Sequence, residues 1–176
     1  MDLSILKKKI NDFNEVMKNT SNYRKIWDNE LRDLIVTNLE SFVAESEVKA
    51  EVDVHDQFSG LEAVALIMGI EDSGIYERLD GDLKKNLIRS NGSLLFQQLF
   101  NGKISIWINY PFIEGIGEPK PPMMLEIVRP AELKEINILR YFERFIDEIT
   151  AWEDFDDDKT PIQSIGFNHP QAKITN

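Results

Sequence analysis

The pair Asn101-Gly102 limits the folds open to this chain more than any other feature. It stands between two runs of apolar-rich sequence, residues 94–100 and 103–109. A type I′ hairpin turn needs positive φ at both central residues; Asn tolerates it and Gly adopts it freely, so Asn-Gly between such runs marks a β-hairpin. A two-residue loop sets the register: Phe100 opposite Lys103, Phe96 opposite Trp107, Leu95 opposite Ile108. Residues that face one another share a side of the sheet. One side then carries Leu95, Leu99, Ile104, Ile106 and Ile108 and reads as core. The other carries Phe96, Phe100 and Trp107 among Gln98, Ser105 and Asn109. That mixture suits either a pair packed under a helix or an exposed platform, because exposed apolar patches mark interaction sites.

The second run ends at Tyr110-Pro111, and Pro cannot donate to a ladder. Pro119, Pro121 and Pro122 follow in a loop that they hold extended and stiff, before another strand at 123–128. The expected partner-binding surface is therefore Phe96, Trp107, Glu114 and the Pro119 segment. It combines an aromatic anchor, a polar rim and a loop that loses little entropy on binding. Glu114 and Glu118 make a basic or amphipathic protein the expected partner.

A sheet must bury its apolar side against another layer. The C-terminal candidate opens at Pro130, a favourable first-turn position, with Glu132 and Glu135 at the positive end of the helix dipole. Leu133, Ile136, Leu139, Phe142, Phe145, Ile146, Ile149 and Trp152 form its stripe. At the N-terminus, Leu3, Leu6, Ile10, Phe13 and Met17 have the 3-4-3-4 spacing of a helical seam. The stretch KNTSNYR reads as a break before a second helix over 22–46 with Ile26, Trp27, Leu31, Ile35 and Leu39 on its apolar side. Two adjacent helices suggest an αα-hairpin, and the seam suits a homodimer through the N-terminal helices. Residues 48–55 alternate as a half-buried strand. Residues 59–69 fit a strand or a short helix, the strand being preferred because 48–54 needs a neighbour. Asp80 is placed to cap a short helix before Asn91-Gly92.

The expected fold is α+β: an antiparallel sheet of about four to five strands covered by a C-terminal helix, with an N-terminal helical hairpin. The expected division is a helical hairpin over 1–47, the sheet with its packing helix over 48–152, and an acidic, partly mobile tail over 153–176.

Charge and composition narrow the function. The chain has 31 acidic and 20 basic residues, net −11, which argues against nucleic acid, since phosphate binding needs a basic footprint. It has no cysteine, hence no disulfide framework or thiolate chemistry. The first residues lack a signal-peptide pattern, and no apolar run approaches a membrane span. A cytoplasmic protein without a membrane partner is expected.

Catalytic motifs are scarce. A P-loop, a GxSxG elbow and an HExxH pair are missing, and the Gly115-Ile116-Gly117 element leads into prolines where a nucleotide fingerprint needs a helix. Asp154, Asp156 and Asp158 have calcium-loop spacing, but Lys159 and Ile165 stand where the required Gly and bidentate Glu belong. His55 shares one side of a strand with Glu51 and Asp53, about 7 Å apart per step, so a metal there would need a ligand from elsewhere. No cofactor or metal is expected. The function expected is a non-catalytic protein-binding module of accessory, inhibitory or immunity type. An enzyme or small-ligand binder with a pocket beside the sheet comes second, and an acidic DNA mimic third.

Overall fold

The computed structural model describes residues 2–79 and 83–154. Its element order is α1 (Ser4–Ile26), a π-helical turn (Trp27–Leu31), α2 (Arg32–Ser46), then β1 (Glu51–His55), β2 (Ala63–Ile67), β3 (Ile70–Arg78) and β4 (Lys84–Ser90). There follow β5 (Ser93–Gln98), β6 (Ile104–Asn109), β7 (Phe112–Ile113), β8 (Met123–Val128), a 3₁₀ turn (Pro130–Glu132) and α3 (Glu135–Glu153). The class is α+β, as the sequence implies. An antiparallel five-stranded sheet runs in the order β1-β2-β5-β6-β8, and a smaller one in the order β3-β4-β7.

The core lies on one side of the five-stranded sheet. Val64, Leu66, Leu94, Phe96, Ile104, Ile106 and Ile108 point into it. Trp27, Leu31, Ile35 and Leu39 meet them from the N-terminal helices, and Leu133, Ile138, Phe142, Phe145 and Ile149 from the C-terminal segment. Phe42 stacks on Phe142 with ring centroids 6.3 Å apart, joining α2 to α3. Burying side chains of this size is the main favourable term in folding. Pro130 initiates a 3₁₀ turn rather than α3 itself; the helix proper starts after Lys134, whose N–H donates to the Asn137 side chain at 3.0 Å.

Two N-terminal helices are present, but their junction is not at 18–24. Neither Pro nor Gly interrupts that stretch, and the Thr20 hydroxyl donates back to the Val16 carbonyl at 3.0 Å, an arrangement compatible with a continuing helix. The junction is the π turn at Trp27–Leu31, and Ile26, Trp27, Leu31 and Arg32 all hold right-handed helical dihedrals. Trp27 and Leu31, at the two ends of this turn, both enter the core.

The central hairpin differs from expectation by one residue. Phe96 pairs with Ile106 and Leu95 with Trp107. The loop holds three residues: Leu99 N–H donates to Lys103 O, Gly102 N–H donates to Leu99 O, and Gly102 alone takes positive φ, at 76°. This is the three-residue loop in which a left-handed residue closes a type I turn. A Cβ on Gly102 would lie 2.7 Å from the Tyr23 Cβ and 3.0 Å from the Thr20 carbonyl, so the tip sits hard against α1. A shift of one residue exchanges the two faces of a strand, and Phe96 therefore joins the core.

Residues 63–67 form a strand, and 84–90, expected as a short helix, form β4. Met68 N–H donates to Gly92 O and Asn91 N–H to Gly69 O, so the β2–β5 ladder runs on into β3–β4. Most of that outer pair is exposed. The polar character that suggests a solvated helix serves equally for a two-sided wet ribbon.

Candidate functional site

The side of the five-stranded sheet away from the helices, the open side, has Asp53, His55, Met124 and Ile127 exposed, Leu95, Gln97 and Trp107 half-buried, and the small residues Ala63, Ala65 and Ser105 buried between them. Register places Asp53, Ala65, Leu95, Trp107 and Met124 in one row across its five strands. The next row holds His55, Ala63, Gln97, Ser105 and Ile127. A bulge in β8 matters here. Ile106 pairs with Glu126 but Trp107 with Met124, so Leu125 is the extra residue and Met124 and Ile127 come to the same side. Met124 and Ile127 are exposed on an edge strand, and Leu95 and Trp107 are half-buried beside them.

Trp107 is held in place by its neighbours. Its Nε1–H donates to Ser105 Oγ at 2.9 Å, and Ser105 Oγ donates to the Gln97 carbonyl at 3.3 Å. Asn109 donates to Ser93 Oγ at 2.8 Å along the same face. The polar tip of the indole is thus already satisfied, which leaves its apolar ring for contact. Asp53 and His55 approach to 3.6 Å at the β1 margin, both well exposed. Among the described residues no group of three or more His, Cys, Asp or Glu side chains is arranged to hold a metal ion.

The four residues expected to form one surface lie in separate parts of the fold. Phe96 is 0% exposed and meets Tyr141 edge-on at 6.0 Å on the helix-covered side. The one-residue register change puts it there, and it cannot touch a partner. Trp107 is on the open side. Glu114 is exposed beyond β7, where its N–H donates to Ile88 O and continues the pairing with β4. Pro119 is exposed, and the ammonium of its neighbour Lys120 sits 3.5 Å over the Tyr110 ring. Tyr110 belongs to the core side, so that end of the loop leans toward α3 and not toward Trp107. Sequence reasoning missed Leu95, Met124 and Ile127. Pairing polar with polar was the available signal, since the true register sets Ser93 against Asn109 and Gln97 against Ser105.

Two tyrosines fasten α3 to the sheet. Tyr110 donates to Glu148 at 2.7 Å, and Tyr141 donates to Glu126 at 2.7 Å. Burial first, and the adjacent carboxylates second, push both phenols well above their ordinary range. On the other flank, Trp27 Nε1–H donates to the buried Glu62 carboxylate at 2.8 Å, with the Arg32 guanidinium 3.6 Å away. These are structural ties. The N-terminal half of α1 is of another kind, because it carries an apolar stripe that no part of the described chain covers.

No helix among the described residues is long and apolar enough to cross a membrane. Residues 155–176, which include Asp156, Asp158, His169 and most of the acidic tail, lie outside the described residues. Comparison with models of known families, with curated proteins and with solved structures found no match for this chain.

Proposed function

We propose that this chain is a non-catalytic protein-binding module, of accessory, inhibitory or immunity type, that docks a partner on the open side of its five-stranded sheet. The observation that carries the reading is the row Leu95, Trp107 and Met124. It is an apolar strip with a fixed indole at its centre, rimmed by hydrogen-bonded polar side chains. Interfaces with an apolar centre and a polar rim have this composition, and a Trp held in advance costs little entropy to engage. The net charge of −11, with Glu51 and Asp53 at the β1 margin, favours a basic or amphipathic protein over nucleic acid. A cytoplasmic location fits a chain without cysteine.

The test is capture from the native cell extract with two baits, wild type and Met124→Asp. A protein held by the wild type and released by the variant, both with the same circular dichroism, supports the reading. Equal capture by both baits contradicts it.

A second reading, a small-ligand binder or enzyme, rests on the cleft between β1, β2 and the end of α3. Arg89 Nε and Asn91 Oδ1 are buried there without a hydrogen-bond partner. Glu71 and Glu153 already flank the Arg89 guanidinium, which weakens its call on an anion. Native mass spectrometry of the purified protein decides between the two: a small molecule retained in stoichiometric amount favours this cleft.

A further inference from the structure

We infer that α1 is a dimerisation arm, which pairs antiparallel with α1 of a second copy of this chain. No residue of α1 is buried, although it carries Leu6, Ile10, Phe13 and Met17 in sequence after Leu3 at its N-cap, with Ile5 and Val16 on one flank. Ile5 is 73% and Phe13 62% exposed. So much apolar surface on about four turns marks an interface. Such a segment is marginal as an isolated helix, but here it grows from a helix that Trp27 anchors in the core, so its nucleus is already formed.

The occupant follows from spacing, charge and space. A 3-4-3-4 seam meshes with another helix carrying the same seam. Residues 2–18 hold Lys7, Lys8, Lys9 and Lys18 against Asp2, Asp12 and Glu15, four positive and three negative charges. Two copies of a chain with net charge −11 therefore meet along this segment without accumulating like charge.

The body of the protein dictates the direction. Beyond Thr20 the side of the helix that continues the seam is filled by the protein's own hairpin tip, with Gly102 against the Thr20 carbonyl and the Tyr23 Cβ and the Phe100 carbonyl accepting from Arg24 at 2.7 Å. A parallel pair would bring two such tips into the same space. An antiparallel pair puts the bodies at opposite ends. In the register that fills the seam, Ile10 lies opposite Phe13 of the second copy, Leu6 opposite Met17, and Leu3 opposite Thr20. The second helix then ends where the hairpin tip begins, beside Phe100, itself 75% exposed. Flanking positions pair Lys7 with Asn14 and Lys9 with Val16, so no like charges face one another.

The experiment uses the full chain, whose lack of cysteine makes introduced thiols unique. Sedimentation velocity at tens of micromolar should show a dimer. Ile10→Asp, which places an unpaired charge in the seam, should weaken it at least about a hundredfold while the thermal melt of the body stays in place. Under mild oxidation, a mixture of Lys7→Cys and Asn14→Cys chains should form mixed disulfide dimers, and Ile10→Cys alone should not. A monomer at that concentration, a dimer unmoved by Ile10→Asp, or self-crosslinking of Ile10→Cys in preference to the mixed pair would overturn the proposal. So would a monomer that binds anionic phosphatidylserine vesicles through α1.

Discussion

Replacing Phe96 and Leu95 by alanine, one at a time, separates the observed hairpin register from its one-residue alternative. Phe96 is completely buried, faces Val64 and Ile106 in the ladder, and holds the Tyr141 ring edge-on. Its truncation removes the transferred apolar surface, leaves a cavity between sheet and helix, and loses the aromatic pair. Phe→Ala in such a site costs about 3–5 kcal/mol. Leu95 is half-buried on the open side, where solvent fills the space left behind. Full burial of a leucine contributes about 1.5–3 kcal/mol, so Leu95→Ala should cost about 1 kcal/mol. A chain of this size loses about 2–4 °C in Tm per kcal/mol. Phe96→Ala should then lower Tm by about 6–20 °C, and Leu95→Ala by about 2–4 °C. Urea melts followed by far-ultraviolet circular dichroism give the free energies. A Leu95→Ala cost equal to or above that of Phe96→Ala would refute the register and, with it, the open face as described.

Three further outcomes follow from local geometry. Gly102→Ala should destabilise by at least about 1–2 kcal/mol, since the residue needs φ of 76° and the new Cβ would press on Tyr23; urea melts check it, and an unchanged midpoint speaks against the tight tip. Trp27→Phe removes the donor to buried Glu62 and should cost about 1–3 kcal/mol, whereas a neutral result in the same melts would mean that Arg32 alone satisfies the carboxylate. Tyr110 and Tyr141 hold their protons more tightly when folded than when unfolded. Their stabilisation is whole below the ordinary phenol pKa of about 10 and fades as pH rises above it. Phenolate absorbance near that pH should therefore show Tyr110 and Tyr141 protected until the protein unfolds, and the double Phe variant should lose less stability on the alkaline side.

The long elements were legible in the sequence because many residues repeat one signal. The stripe of α3 has Ile138, Phe142, Phe145 and Ile149 buried, and a run of that length fixes both the helix and the side it buries. The α+β class follows, because α3 and the hairpin each need an apolar cover. What failed was set by single residues. Asn-Gly fits a two-residue loop, but it also fits the last two places of a three-residue loop, where Asn101 Oδ1 accepts from Lys103 N–H and only Gly102 has positive φ. That one residue moved Phe96 from the candidate site into the core. The extra residue Leu125 moved Met124 onto the open side, and no local composition announces such a bulge. The stretch at 18–24 has good N-cap residues, yet contacts with the hairpin tip keep it helical, an override of propensity by tertiary packing.

Trp107 stands at the centre of the functional account, so its energetic weight in the complex tests that account most directly. The measurement is the affinity of the purified partner, identified by differential capture, for wild type, Trp107→Ala and Ile136→Ala by titration calorimetry. Ile136 is an exposed apolar residue on α3, across the sheet from the open side. Loss of a central Trp anchor should weaken binding by at least about 2 kcal/mol, about thirtyfold, and Ile136→Ala should bind as the wild type does. A folded Trp107→Ala protein that binds with undiminished affinity would contradict the assignment of the open sheet face as the binding surface.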